Sequence, residues 1–260
     1  MTPPIILTNR DGIAEIRLNR PERRNVLSVE MVDALSWAVT EVLATGGTRV
    51  IVFSAEGASF GTGGDLSFFH EAEDKKSAAE RLVHPLHATL KKLAEAPVIT
   101  IGSLKGPVAG AGMSLALGFD FAIAAEDTVF SFAYPRVGVP TDCGGSWALP
   151  RIVGVRKALE IALLSQPVSA EEALRLGLVN RVVPLDTLEA ETANLAQRLA
   201  AGAPVAQARL KALIRQSLDT SYADQLDAEA DGFIGCSQTE DFSEALSAFF
   251  GKRKPQFTGR

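Results

Sequence analysis

The chain has 260 residues, with 26 Lys and Arg against 31 Asp and Glu, a formal net charge of −5 that argues against nucleic acid as the main partner, since phosphate binding wants clustered Lys and Arg. Hydrophobic residues at 47% and charged residues at 22% exclude a disordered or collagen-like chain, and the length allows one large domain or a domain with an appendage. Two cysteines, Cys143 and Cys236, are too few for a disulfide framework and suit a reducing compartment. No run reaches the ~18 apolar residues of a membrane helix. Met1 to Ile5 carries no basic segment ahead of an apolar one, so the expectation is a soluble, cytoplasmic protein with no membrane partner.

In chain order, Ile13 to Leu18 alternates apolar and charged residues as a strand does, and Asn19-Arg20-Pro21-Glu22 breaks it. Ser28 is placed to cap a helix from Val29, with Val32, Leu35, Val39 and Leu43 as its apolar stripe and Gly46-Gly47 as its end. Val50 to Phe53 reads as a strand buried on both faces, Ser77 to Glu95 as a helix, and Val98 to Ile101 and Phe121 to Ala124 as two more buried strands. Strands separated by helices at this spacing suggest parallel crossovers. From Arg156 onward the pattern is helical, with breaks at Gly177, Pro184, Gly202-Ala203-Pro204 and Gly232. The division is an α/β core over residues 1–185 and a helical part over 186–260.

Two glycine-rich loops stand at strand-to-helix junctions: Gly61-Thr62-Gly63-Gly64-Asp65, and Gly106 to Gly112 ahead of Met113-Ser114-Leu115. Glycine lets a ligand approach the backbone, and a helix start points unpaired N–H groups outward. Two such loops facing each other could hold a developing oxyanion. Singly they read as tight turns, and neither matches a phosphate loop or Gly-x-Gly-x-x-Gly.

Asn19-Arg20-Pro21-Glu22-Arg23-Arg24-Asn25-Val26-Leu27-Ser28, Phe60-Gly61-Thr62-Gly63-Gly64-Asp65-Leu66, Gly106 to Asp120, Gly144 to Gly154, Ala170 to Val183 and the tail from Lys252 follow one another in an order that resembles the crotonase superfamily, also called the enoyl-CoA hydratase/isomerase family. The resemblance implies an α/β fold, a ββα spiral core with a helical C-terminal trimerisation region, a homotrimer or a hexamer built from two trimers, and an acyl-CoA thioester substrate with no cofactor beyond its coenzyme A. By motif position, the oxyanion donors are the backbone N–H groups of Gly64 and Ala111. Arg24, Val26 and Leu27 fall on the CoA path, and Gly61, Thr62, Gly63, Asp65, Leu66, Phe69 and Tyr134 fall around the acyl end. Lys252 falls where the tail reaches CoA on a neighbouring subunit; Asp65 read by itself is a helix cap.

Hydratases of this family use two glutamates, and the register places Ser114 and Tyr134 at those positions. A phenol of pKa ~10 or a serine without a base does not replace a carboxylate poised near neutrality. One acid remains, Asp142, in the segment that carries the catalytic acid of several isomerase branches. The expected function is therefore an acyl-CoA isomerase, with Asp142 moving a proton while the amide pair holds a thioester enolate. The alternatives are an enoyl-CoA hydratase with other catalytic groups, an aryl-CoA hydrolase of the dehalogenase type, or a non-catalytic CoA-binding scaffold. The dehalogenase branch needs a histidine base from the preceding helix; His84 and His87 lie there, neither in clean register, and read as structural or surface residues. Trp147 is expected to pack the helix from Gly145, Phe68 and Phe69 to wall the acyl pocket, and no His/Cys/Asp cluster has metal-ligand spacing along the chain.

Overall fold

The computed structural model describes residues 2–260. The chain opens with β1 (Ile5–Arg10), β2 (Ile13–Leu18), α1 (Val29–Thr45), β3 (Val50–Ala55), α2 (Leu66–Glu71), α3 (Lys75–Glu95), β4 (Ile99–Leu104), β5 (Pro107–Ala109), α4 (Ala111–Gly118), β6 (Phe121–Ala125) and β7 (Val129–Ser131). It continues with α5 (Gly145–Val153), α6 (Val155–Leu164), β8 (Val168–Ser169), α7 (Ala170–Leu176) and β9 (Arg181–Val183), then α8 (Leu188–Ala200), α9 (Pro204–Gln216), α10 (Tyr222–Ser237) and α11 (Glu240–Phe250).

A six-stranded sheet has the order β1-β2-β3-β4-β6-β9, parallel throughout except for the β1–β2 hairpin. β3 and β4 are buried along their whole length, as expected of strands covered on both faces. The covering layers are α1 on one side, which buries Met31, Val32, Leu35, Ala38, Val39 and Val42 at helical spacing, and α8 on the other, which buries Leu188, Leu195, Ala196 and Ala200. Ser28 caps α1 by accepting from the Met31 amide at 3.2 Å, and Gly46 ends it.

The small second sheet, β5-β7-β8, is what the sequence did not announce. Its strands are two or three residues long, too short for any periodicity, and β5 lies inside the second glycine loop, which was expected to run straight from strand to helix. Two more expectations are corrected. The stretch after Arg156 contains β8 and β9 among its helices, and Gly232 does not break α10 but sits buried in the middle of it, where a Cβ would meet the Leu213 side chain at 3.5 Å. Beyond Val183 the described elements are all helical.

Candidate active site

The two glycine loops lie side by side because their backbones pair. The Phe60 amide donates to the Lys105 carbonyl (2.9 Å), Gly61 to Pro107 (3.3 Å) and Ala109 to Gly61 (2.9 Å), a short parallel bridge between the loops. On the other side Leu27 donates to the Gly63 carbonyl at 2.8 Å, so three segments far apart in sequence form one ladder. Buried Asn25 holds the entry: its side chain accepts from the Arg20 amide (2.8 Å) and donates to the Glu56 and Ser59 carbonyls (both 2.9 Å). A Cβ on Gly63 would lie 3.6 Å from the Ala111 nitrogen, so the first loop passes directly beside the start of α4. A Cβ on Gly112 would collide with the Gly61 carbonyl, so this approach requires glycine.

Two amides stay unused here. Ala111 is the first residue of α4, so its N–H is one of the four that a helix leaves unpaired, and the Gly64 N–H finds no acceptor among the described residues. The Gly110 amide, by contrast, is consumed by the Ser131 carbonyl at 2.9 Å. Phe69 and Leu82 stand over Gly64, each 3.6 Å from where its Cβ would be.

The other positions singled out in the sequence gather unevenly. Thr62 Oγ1 donates to the Arg24 carbonyl (3.3 Å), which places exposed Arg24 and half-buried Val26 beside this loop, while Leu27 is buried beneath it. Asp65 caps α2, accepting from the Ser67 and Phe68 amides (3.2 and 3.4 Å), and its second oxygen pairs with Arg23 at 2.7 Å. Both of its oxygens are thereby committed to structure. Leu66 opens α2 exposed, and Lys252 is exposed after α11 with its ammonium in no hydrogen bond or ion pair among the described residues.

The acid sits at the end of a chain of hydroxyls. Tyr134 donates to Asp142 Oδ1 at 2.5 Å, and Ser114 Oγ lies 2.8 Å from the Tyr134 oxygen. Thr141 Oγ1 approaches Ser114 at 3.4 Å and donates to the Asp142 carbonyl at 3.1 Å. Ser114 is fully buried and one turn into α4 from Ala111, so this chain ties Asp142 to the helix that carries a free amide. Gly145 leaves the room: a Cβ there would collide with the Ser114 and Thr141 hydroxyls. Burial and the neighbouring Asp142 charge push the Tyr134 phenol well above its ordinary value, so it remains a donor. The same two causes push the Cys143 thiol up, which leaves it without thiolate reactivity.

His87, read from the sequence as structural or surface, holds a structural contact whose partner the sequence did not identify. It reaches from α3 to accept the Cys143 amide on Nε2 at 3.1 Å, which supports Cys143 in a left-handed conformation (φ 52). No local pattern signals a contact 56 residues away in sequence. His87, Asp142 and Cys143 bring ligand-type atoms within 4.8 Å of one another, a grouping invisible in the spacing. The chemistry does not suit a metal as arranged: the His87 Nε2 lone pair already accepts the Cys143 amide and burial disfavours the thiolate, whereas metals take free imidazole lone pairs and thiolates. Trp147, expected to pack the helix from Gly145, lies on that helix 46% exposed with the Arg151 guanidinium stacked on it at 4.1 Å.

A cavity of about 220 Å³ adjoins Ser114, Cys143 and Gly144, with Leu90, Leu93 and Phe119 and the Lys211 and Arg215 side chains in its wall; it touches neither glycine loop nor Asp142. Phe68 and Phe69 pack against each other at 5.8 Å, with Phe69 over Gly64. A larger cavity of about 410 Å³ lies under α8 and touches neither loop.

A family model described as enoyl-CoA hydratase/isomerase matches residues 8–260. A 1,2-epoxyphenylacetyl-CoA isomerase of Escherichia coli is 35% identical, over 96% of both chains. A trans-2-decenoyl-(acyl-carrier-protein) isomerase of Streptococcus mutans is 32% identical, over 98% of both. The crystal structure of an enoyl-CoA hydratase from a Polaromonas species superposes with a TM-score of 0.90 at 33% identity, covering 98% of this chain and 99% of that one.

Proposed function

The chain belongs to the enoyl-CoA hydratase/isomerase family, and from that premise we propose that it is an acyl-CoA isomerase in which Asp142 is the proton shuttle and the Gly64 and Ala111 amides are the oxyanion hole. The observation that carries the reading is the position of Asp142, 2.5 Å from Tyr134 and linked through Ser114 to α4, with no second carboxylate in that chain of contacts. The thioester carbonyl oxygen accepts from the two amides. The Asp142 carboxylate removes a proton from a carbon adjoining the acyl double bond, and the C–H electron pair moves toward that oxygen as an enolate. Asp142 then returns the proton to another carbon and the double bond settles in its new place. Removing one oxyanion donor typically costs ~3–4 kcal/mol of barrier, so the amide pair makes the largest contribution to the rate. Arg24, exposed beside the first loop, is the side chain we assign to a CoA phosphate. The scheme as proposed draws on this chain's own groups and on the substrate's coenzyme A.

Asp142→Asn should bind acyl-CoA as the wild type does and lose solvent-deuterium incorporation into the bound acyl group by at least about a thousandfold, the range of general acid–base contributions. Full exchange in that variant removes Asp142 from the mechanism. A panel of 3-enoyl, dienoyl and aryl-acetyl CoA esters followed by ultraviolet absorbance identifies the substrate. Appreciable water addition to crotonyl-CoA would instead favour a hydratase, and CoA binding without exchange a scaffold. One further reading is aryl-CoA hydrolysis of the dehalogenase type, in which Asp142 displaces halide from the ring and water then cleaves the aryl ester at the Asp142 carboxyl carbon, with His87 on the neighbouring helix; halide release from a 4-halobenzoyl-CoA with oxygen-18 from water entering Asp142 in a single turnover would establish it.

We also propose that the chain assembles as a homotrimer or a hexamer of two trimers. Phe249 and Phe250 on α11 are 76% and 78% exposed, and Phe233 and Ile234 on α10 are exposed with them, a concentration of apolar surface that an isolated chain does not tolerate.

A further inference from the structure

We infer that Tyr134 is a positioning residue for the acid: it clamps Asp142 through a one-way chain of hydroxyl hydrogens that begins at Ser114. The inference rests on Asp142 being the proton shuttle. As a base, Asp142 carries no proton, so in the 2.5 Å contact with Oδ1 the hydrogen belongs to Tyr134. The phenol has a single hydrogen. In the 2.8 Å contact between Ser114 and Tyr134 the serine therefore donates. Both hydrogens point toward the carboxylate, and neither group leaves that arrangement easily. Ser114 is fully buried inside α4, and Tyr134 is buried with its ring edge against Phe132 at 5.2 Å.

The backbone enforces the same geometry. Tyr134 opens a short turn, Tyr134–Val137, that closes with the Gly138 amide on the Pro135 carbonyl (3.2 Å), and Val139 returns to the Tyr134 carbonyl (3.4 Å). Gly145 donates to the Asp142 carbonyl at 3.0 Å, and His87 holds the next residue through the Cys143 amide. The peptide group between Asp142 and Cys143 is held at both its oxygen and its nitrogen, and Tyr134 restrains rotation of the carboxyl group.

A carboxylate offers about four acceptor positions, so one phenol and the neighbouring thiol leave room for a substrate proton. A donor to a carboxylate binds the charged form more strongly than the neutral one. Tyr134 thus favours the state that begins the reaction and loosens its hold once the proton has been taken, which helps the acid give it back. Both positions that hold carboxylates in the family's hydratases here carry hydroxyls whose hydrogens serve the third.

The test compares wild type with Tyr134→Phe, Ser114→Ala and Asp142→Asn. Folding of each is checked by circular dichroism and acyl-CoA binding; isomerisation and solvent-deuterium exchange are followed against pH. Tyr134→Phe should lower kcat about ten- to a hundredfold, the range for a hydrogen bond to a charged group, with KM unchanged. It should also move the acid limb of the kcat profile to higher pH. Ser114→Ala should change both in the same direction and by less, and it stands in if the phenylalanine variant fails to fold. Carbon-13 NMR of labelled aspartate, assigned with Asp142→Asn, gives a readout free of turnover: the Asp142 titration midpoint should rise in Tyr134→Phe. A wild-type profile and midpoint in folded Tyr134→Phe, alongside a dead Asp142→Asn, overturns the clamp. An active Asp142→Asn overturns the isomerase reading, while the NMR midpoint still decides whether Tyr134 holds the carboxylate.

Discussion

A methyl group on Gly112 has nowhere to go, because the Gly61 carbonyl occupies its place. Gly112→Ala must push the two loops apart, and the amides of Gly64 and Ala111 move with them. The expected result is a loss of about 1–3 kcal/mol in urea denaturation, typical of overpacking, together with a fall in kcat of at least about tenfold while CoA binding persists. Retained kcat would mean that the loop spacing does not matter to the chemistry. At this scale the sequence was informative wherever chemistry is local. Asp142 and the loop residues 61–66 stand out because each lies in a short contiguous motif, although their partners in space are distant in sequence. Asp65 could be read as a cap from its position before an apolar run, and it caps α2. His87 and Trp147 could not be placed, since the first acts across 56 residues and the second is decided by what α5 leaves uncovered.

Among elements, α9 is fastened to the core by charge. Asp120, just ahead of β6, pairs with Lys211 (2.8 Å) and Arg215 (2.6 Å), and accepts from the Thr100 amide and hydroxyl (2.8 and 2.9 Å); Lys211 also donates to the Val98 carbonyl at 2.7 Å. Burial by itself would raise the Asp120 carboxyl, but the two cations and the Thr100 donors outweigh it and hold it below the ordinary carboxylate range. A carboxyl lowered by folding adds stability above its unfolded value of about 3.9 and loses it as pH falls further toward the folded value. The wild type should therefore lose melting temperature steeply below about pH 4. Asp120→Asn strands the buried Lys211 charge, so it should cost ~3 kcal/mol at neutral pH and flatten that acid slope in calorimetry at fixed protein concentration. Unchanged stability would show that α9 is held by packing instead. The long strands and helices were legible because their periodicity spans many residues. The sheet of β5, β7 and β8 was not, because its strands contribute only two or three residues each and exist only where the chain returns to itself.

For the molecule as a whole, the exposed phenylalanines of α11 bear on assembly. If they are covered by sister chains, Phe249→Ser with Phe250→Ser should shift the mass measured by light scattering from trimer to monomer and lower the melting temperature. A wild-type monomer would sink the trimer proposal outright. The order of the family motifs along the chain made the spiral core legible from end to end, whereas the arrangement of helices 186–260 rests on surfaces that no short motif encodes.

The donors aimed at the substrate oxygen are peptide groups, and what holds them are other peptide groups: Leu27 to Gly63 and Ala109 to Gly61. Electrical compensation of the proposed intermediate is thus written into the main chain and depends on side chains through their bulk, as Gly112 against the Gly61 carbonyl shows. Exchanges that add no bulk between the two loops leave it in place. The lining around it can drift or be redesigned for new acyl groups, much as a socket accepts different inserts, while the wiring behind it stays the same.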